Sequence, residues 1–408
     1  MSSMLVIGII LATGFLMGEA VQPFRLPRIT GYILAGILLN PQLLPIIPTD
    51  FAQHTDLVTD IALSFITFSV GGTLLGRWLK QMGRTILTMT VCEAEFAMLA
   101  VTLGFLLLAV LLKPLHISAL SASPLVLTLL LGVLASPTDP SATLAVTHQY
   151  KARGEVTSTV MGIAASDDVL GIINFSLGVA LARMAATHSG FSMTHSVLLP
   201  IFEIVGGIGV GVFFGWLLNR TTAWFNRETE GELIVLIFAV LGLCYGIARL
   251  VHADELLATM AMGCIVVNFN PKQAKIFSML ERYQEELIFV FFFTVSSMKL
   301  DLSVMPSAAI YIAAFVILRA LGKTLGAYTG ARLSGASPAV RRYTFLGLLP
   351  QGGIVIGLAL IMHSTPDFKD VSNLVMAIVI GATVIHEIAG PIVSRIGLRK
   401  AGEIPDPS

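Results

Sequence analysis

Two aspartates, Asp167 and Asp168, sit side by side inside a long apolar stretch from about residue 156 to 185. An ionised carboxylate at the middle of a bilayer costs about 2.5–3.5 kcal/mol on insertion scales. Two at close range cost more, because like charges resist joint ionisation. The use that fits such a pair is to bind a hard cation or a proton. Neighbouring residues of a helix point about 100° apart, so the two carboxylates cannot face one partner squarely. One can pair with a buried basic group while the other faces a wet cavity, where an alkali cation and protons exchange.

Two basic residues are suited to that pairing. Arg319 and Lys323 lie mid-way along another apolar stretch, four residues apart and so on one helical face. Two further stretches carry helix-breaking residues. One reads LASPTDPSATLAV, where Pro137 and Pro140 flank Thr138 and Asp139. The other reads LGLLPQGGIVIGLAL, with Pro350, Gly352 and Gly353. Proline removes a helix hydrogen bond and clashes with the preceding turn. In lipid, the backbone groups freed in this way must be buried in protein or line a cavity. A broken helix also leaves dipole ends. Asp139 is placed to offset the positive ends, as a structural cap at least, and Lys323 is a candidate for the negative ones. Thr138 adds a hydroxyl and a carbonyl, the oxygen ligands that alkali cations prefer.

Other polar residues in apolar segments read as local groups. Glu93, Glu95, Glu19, His386 and Glu387 are expected to make nearby hydrogen bonds or to end helices. Ser166, Asn174 and Ser176 could support the aspartates. Cys92, Cys244 and Cys264 stand alone in apolar runs, without metal or disulfide spacing, and read as small buried hydrophobes. No Walker loop, HExxH, nucleophile elbow or haem motif occurs. The chain is therefore not expected to be an enzyme, to use ATP or to hold a cofactor.

The elements that carry these residues are membrane helices. The 408-residue chain is 55% hydrophobic and 12% charged, with a mean hydropathy of +0.85. Its apolar residues come in runs of roughly 20, the length that spans a bilayer as a helix. The pattern predicts an all-α polytopic membrane protein of about 13 spans, near 4–22, 28–47, 55–77, 85–112, 123–147, 156–186, 194–219, 231–250, 253–269, 285–298, 304–332, 342–363 and 371–394. The first stretch lacks the basic flank of a cleaved signal and reads as a span. A formal net charge of zero argues against a nucleic-acid partner.

Loop charges set the orientation. Eighteen of the 25 lysines and arginines fall in loops after odd-numbered spans, against Lys113, Arg249, Lys299 and Lys369 after even-numbered ones. By the positive-inside rule the N-terminus is outside and the C-terminus cytoplasmic. Arg183, near a span end, can snorkel to the interface. The two broken spans, the fifth and the twelfth, are an odd number apart and so run in opposite senses. Residues 85–186 and 304–394 are then an inverted-topology repeat, each half centred on a broken crossing helix, with the site where the breaks meet. The remaining helices would be scaffold in one transmembrane domain.

These motifs together resemble the monovalent cation:proton antiporter superfamily. The stretches that carry the likeness are LPRITGYILAGILLNPQLL, ASPTDPSA, AASDDVLGII and RALGKTLGAYTGARL, across essentially the whole chain. The Asp-Asp pair resembles one branch of its sodium/proton exchangers. That resemblance implies Asp168 as the principal carboxylate for the monovalent cation and the proton. It implies Asp167 as the partner of a lysine that maps to Lys323, with Arg319 as the competing alignment. It also implies a homodimer and an elevator-like movement of a helical core. Two departures stand out: Ala164 replaces a serine oxygen that some relatives offer, and the long regulatory tail of potassium-efflux relatives is missing, which argues against nucleotide gating. The function expected is exchange of Na⁺ or Li⁺ for H⁺ across a prokaryotic inner (plasma) membrane by alternating access. The alternatives are K⁺/H⁺ exchange at the same site, or a channel or sensor on the same fold.

Overall fold

The structure is a computed structural model. It describes the chain except residues 1, 25–26, 49–50, 52–54, 75–82, 113–123, 140–142, 144–145, 148–149, 188–197, 225–228 and 405–408. Pro140 lies outside the described residues, as do the loop cations Arg25, Arg77, Lys80, Lys113 and Arg227. The described elements are all helical. In chain order they are α1 (Ser3–Val21), α2 (Arg28–Leu38), α3 (Asp56–Thr73), α4 (Gly83–Leu112), α5 (Pro124–Leu134), α6 (Glu155–Thr187), α7 (Leu199–Trp224), α8 (Glu230–Leu250), α9 (Glu255–Phe269), α10 (Gln273–Tyr283), α11 (Val290–Met298), α12 (Met305–Leu333), α13 (Pro338–Tyr343), α14 (Gly353–Ser364) and α15 (Lys369–Lys400).

Among the described residues, seven helices are long and apolar enough to cross a membrane, with six shorter apolar helices beside them. Together they account for the thirteen apolar segments expected. Several limits differ. The second span ends at Leu38 rather than residue 47. Asn40 stops it there, its amide donating to Met298 O at 3.2 Å and Leu300 O at 2.7 Å. Nearby, hydrogen bonds from Ser303 and then Gln42 hold the Asp301 carboxyl below the usual range. α10 falls in a stretch expected to be a loop. Its Ile276, Met279 and Leu280 are buried at helical spacing, a short apolar stripe rather than a membrane-length run.

The chain divides into two compact units. One comprises Thr55–Gln81 and Ser189–Phe292. Its core joins Phe68, Leu218, Leu233, Ile237, Leu241 and Met262. Within it Asp60 accepts from Tyr245 Oη and Arg249 Nη1, both at 2.9 Å. The other comprises Met1–His54, Met82–His188 and Phe293–Ser408. It holds residues 85–186 and 304–394, and α1 and α2 besides.

In this second unit α4 and α12 run closely together. Gly322, Gly326 and Gly330 fall four residues apart on one face of α12. A Cβ on any of them would overlap the α4 backbone, at Ala97, Cys92 and Met89 respectively. Small residues at this spacing let two membrane helices approach at the backbone. The approach brings α4 against the face of α12 that carries Arg319 and Lys323. A different device fixes the start of α6. α15 runs through Pro391 to Lys400, and the chain then turns back. The Glu403 carboxylate accepts from Val156 N and Thr157 N at 2.7 Å each and from Thr157 Oγ1 at 2.6 Å. It supplies the acidic cap that a helix N-terminus favours.

Gly326→Leu is expected to lower stability by about 1–3 kcal/mol or more through overpacking. The thermal midpoint of the detergent-solubilised protein should fall clearly, while Leu325→Ala, at the neighbouring exposed position, should leave it nearly unchanged.

Candidate ion-binding site

The two interruptions are consecutive losses of helical hydrogen bonding. α5 stops at Leu134, and residues 135–139 run on without helix. In the second half, α13 passes into a short 3₁₀ turn at Thr344–Gly347, and α14 restarts only at Gly353. The carbonyls released at both places are satisfied by side chains. Leu134 O accepts from Gln351 Nε2 at 2.9 Å. Ala135 O accepts from Arg319 Nε at 3.0 Å, Ser136 O from Lys323 Nζ at 2.5 Å and Pro137 O from Arg319 Nη2 at 2.7 Å. Across the crossing, Arg319 also donates to Leu349 O at 2.6 Å and Pro350 O at 3.3 Å. The two breaks bond directly as well, Asp139 N to Pro350 O at 3.2 Å and Thr138 Oγ1 to Leu348 O at 3.4 Å.

Both α12 cations therefore serve the negative end of α5. Arg319 is fully buried and takes most of this work. Its planar fork reaches four carbonyls on two segments, which a lysine cannot do. Asp139 has the opposite task. Its carboxylate lies where a Cβ on Gly352 would fall, so it abuts the residue that opens α14. There the helix presents its positive end.

Lys323 is the centre of the acidic cluster. Its Nζ lies 2.6 Å from Glu93 Oε2, 3.4 Å from Asp167 Oδ2 and 2.6 Å from Thr138 Oγ1. Lys323, Glu93 and Asp167 are all fully buried. Of the two α12 cations it is Lys323 that contacts Asp167, whereas Arg319 is engaged by backbone oxygens. Asp168 is next along α6, about 100° around the helix from Asp167. It is 7% exposed, and among the described residues its Oδ1 has no hydrogen-bond partner. Asp167, Asp139 and Lys323 are the charged groups that act on it. Thr138 is held by Lys323 through its hydroxyl.

Glu93 corrects the expectation of a merely local group: it is the carboxylate nearest to Lys323. No signal along α4 marks it, because its partner is 230 residues away and is brought there by the glycine face of α12. Gln351 is a second residue read only as part of a break. Fully buried, it spans Leu134 O and His386 Nδ1, the latter at 3.0 Å. Glu95 bonds not locally but across to α6, accepting from Asn174 Nδ2 at 3.0 Å, and Asn174 also reaches Ser136 Oγ at 3.4 Å. Glu19 pairs with Arg28 at 2.8 Å in an exposed position, and Arg183 pairs with Asp367 at 3.3 Å. Ser166 and Ser176 donate to their own helix.

A family model described as "Sodium/hydrogen exchanger, transmembrane" matches residues 8–396. The chain belongs to that family. Among similar curated proteins, "Cation/H(+) antiporter 15" of Arabidopsis thaliana is 25% identical over 345 residues, covering 80% of this chain and 40% of that protein. "High-affinity Na(+)/H(+) antiporter NhaS3" of Synechocystis is 27% identical over 54% of this chain and 48% of its own length. "Na(+)/H(+) antiporter NhaP" of Pseudomonas aeruginosa is 23% identical, with 66% of each chain covered. The exchanger-family chain thus spans less than half the length of the first two. Its fold is that of the sodium proton antiporter MjNhaP1 from Methanocaldococcus jannaschii at pH 8: TM-score 0.76 at 19% identity, covering 96% of this chain and 97% of that one. It is a multi-pass membrane protein whose two interrupted helices meet, as expected from its sequence.

Arg319→Gln is expected to destabilise the protein by at least about 3 kcal/mol, since hydrogen bonds to a charged group contribute about 1.5–3 kcal/mol each and the carbonyls left behind are buried. Arg319→Lys should recover only part of this. Thermal unfolding in detergent measures both, and an unchanged midpoint in Arg319→Gln would contradict the bridging role.

Proposed function

We propose that this chain exchanges a monovalent cation, Na⁺ or Li⁺, for protons across a membrane by alternating access, the cation and the proton competing for Asp168. The observation that carries this is the buried Asp168 carboxylate, with one oxygen lacking a hydrogen-bond partner among the described residues, beside the crossing of two broken helices. Membership of the exchanger family supports the same reading. Four of the similar proteins are named as Na(+)/H(+) antiporters, which favours Na⁺ over K⁺.

Roles follow from the contacts. Asp168 takes the dehydrated cation or the proton, with Asp167 and Thr138 as the further oxygen-bearing groups beside it. Lys323 compensates Asp167, and Glu93 gives it a second counter-ion. If a cation draws Asp167 toward Asp168, Lys323 keeps a carboxylate 2.6 Å away and need not lose its own proton. Protons then leave from carboxyl groups rather than from the lysine. Arg319 and Asp139 hold the breaks open by offsetting their dipole ends, as do Pro137, Pro350, Gly352 and Gly353 by interrupting the helices. Residues 85–186 and 304–394 form the ion-carrying repeat, the other helices serving as scaffold in a homodimer. The protein sits in the inner (plasma) membrane with its N-terminus outside and its C-terminus cytoplasmic, as its loop charges favour.

The test is cation-induced dissipation of an imposed proton gradient in proteoliposomes. Na⁺ or Li⁺ should dissipate the gradient, K⁺ should do so weakly, and Asp168→Asn should abolish the response. Ion conduction without any coupled proton movement would sink the exchange reading and favour a channel.

Glu93→Gln is expected to leave transport measurable but to change the protons moved per cation, read as a shift in reversal potential under a clamped voltage. An unchanged reversal potential would show that Lys323 relies on Asp167 alone.

A further inference from the structure

One buried carboxyl group has no part in the site described above. Glu387, in α15, is fully buried, and among the described residues neither of its oxygens has a hydrogen-bond partner. An ionised carboxylate so placed is too costly to persist alone, and it must be met by a proton or a cation. Its position is not incidental. Gly390, almost one turn further along α15, packs directly on Pro350 of the second break. His386, its neighbour, is bonded to Gln351 of the same break. Glu387 thus lies at the level where the two interrupted helices cross.

The charged groups on the elements around α15 narrow what Glu387 responds to. From the first break Asp139 acts on it. Arg319 and Lys323 of α12 bear on His386 instead. The 3₁₀ turn Thr344–Gly347 has no ionisable residue, and α14 has only His363, near its far end. On α2, Arg28 is paired with Glu19. Arg341, Arg342 and Tyr343 of α13 belong to the far end of α15, where Gly397 meets Tyr343 O. Asp139 N donates at 3.2 Å to the carbonyl of Pro350, the residue on which Gly390 packs, so Asp139 is the charged group of the first break that sits beside this turn of α15, and it also acts on Asp168.

We propose that Glu387 is a second proton-binding carboxyl, coupled through Asp139 to the occupancy of Asp168. The sign follows from charge. A cation arriving at Asp168 makes the crossing less negative, which favours release of the Glu387 proton. A proton leaving Glu387 in turn favours the cation, since the linkage is reciprocal. This role in exchange rests on the function proposed above, whereas the existence of a titrating group at Glu387 does not. Glu387 then supplies a proton that the Asp167–Asp168 pair does not have to provide.

The experiment uses the full chain in proteoliposomes, with infrared difference spectra recorded across a pH titration in buffer free of Na⁺ and Li⁺. The wild type should show a carboxylic-acid C=O component that titrates and that is absent from Glu387→Gln, the closest mimic of the protonated acid. Glu387→Asp should restore a titrating component, and Asp139→Asn should move its titration to a different pH. A wild-type carboxyl spectrum unchanged in Glu387→Gln overturns the proposal, and so does a Glu387 component that persists unaltered at every pH. Proton release on adding Na⁺, followed with a pH dye, should be smaller per bound cation in Glu387→Gln than in wild type. Equal release overturns the coupling to Asp168. Absence of Na⁺-dependent release in wild type, with the infrared titration intact, would count against the exchange reading and not against Glu387 as a proton site.

Discussion

The backbone carbonyls of two interrupted helices must find hydrogen-bond donors inside a membrane protein, and two cations on α12 provide most of them. Carbonyls 134–137 accept one after another from Gln351, Arg319, Lys323 and Arg319. In lipid there is no water to take their place. Everything functional follows from that requirement. A crossing of broken helices needs buried cations, and buried cations in turn need carboxylates near them. The acidic site is thus the electrostatic complement of a backbone defect.

The charges around the crossing do not balance by themselves. Around the crossing stand two cations, Arg319 and Lys323, and five carboxyl groups, those of Glu93, Asp139, Asp167, Asp168 and Glu387. Two fixed positive charges cannot neutralise five ionised carboxylates, and the interior gives too little solvation to leave the remainder uncompensated. The remainder must be met by bound protons or by a cation. A site with more carboxyl groups than fixed cations has the capacity that the proposed exchange requires. Lys323 sets the local division, since its ammonium has four oxygens within reach and three protons to give them.

Packing decides whether this arrangement can exist. The glycine face of α12 allows α4 to come within backbone contact, and only then does Glu93 reach Lys323. The start of α6 is fixed from a distant part of the chain by Glu403, so the helix that bears Asp167 and Asp168 is anchored by the segment after α15. Such contacts stabilise the unit in addition to the apolar core formed by Val156, Val160, Ile163, Ala327 and Leu348.

Hydropathy by itself determined the all-helical membrane class, the number of apolar segments and the two interruptions. Lipid forbids free backbone polar groups, so long apolar runs admit only helices, and the two interruptions fall at Pro137 and at the cluster Pro350, Gly352 and Gly353, whereas Pro391 and the α12 glycines lie within continuous helix. The Asp167–Asp168 pair was legible for the same reason, because two adjacent carboxylates in an apolar run resist joint ionisation and call for a cation or a proton. Tertiary structure alone decided which charge meets which. Arg319 and Lys323 share a face, and nothing local says that both bind carbonyls while it is Lys323 that also meets Asp167. Glu93, two residues before Glu95, and Glu387 are acidic letters among apolar neighbours. Whether such a letter ends at an exposed partner, as Glu19 does with Arg28, or in the buried crossing depends on which helix packs against it. That choice is set by shape complementarity between segments hundreds of residues apart, and the periodicity of one helix carries no information about it.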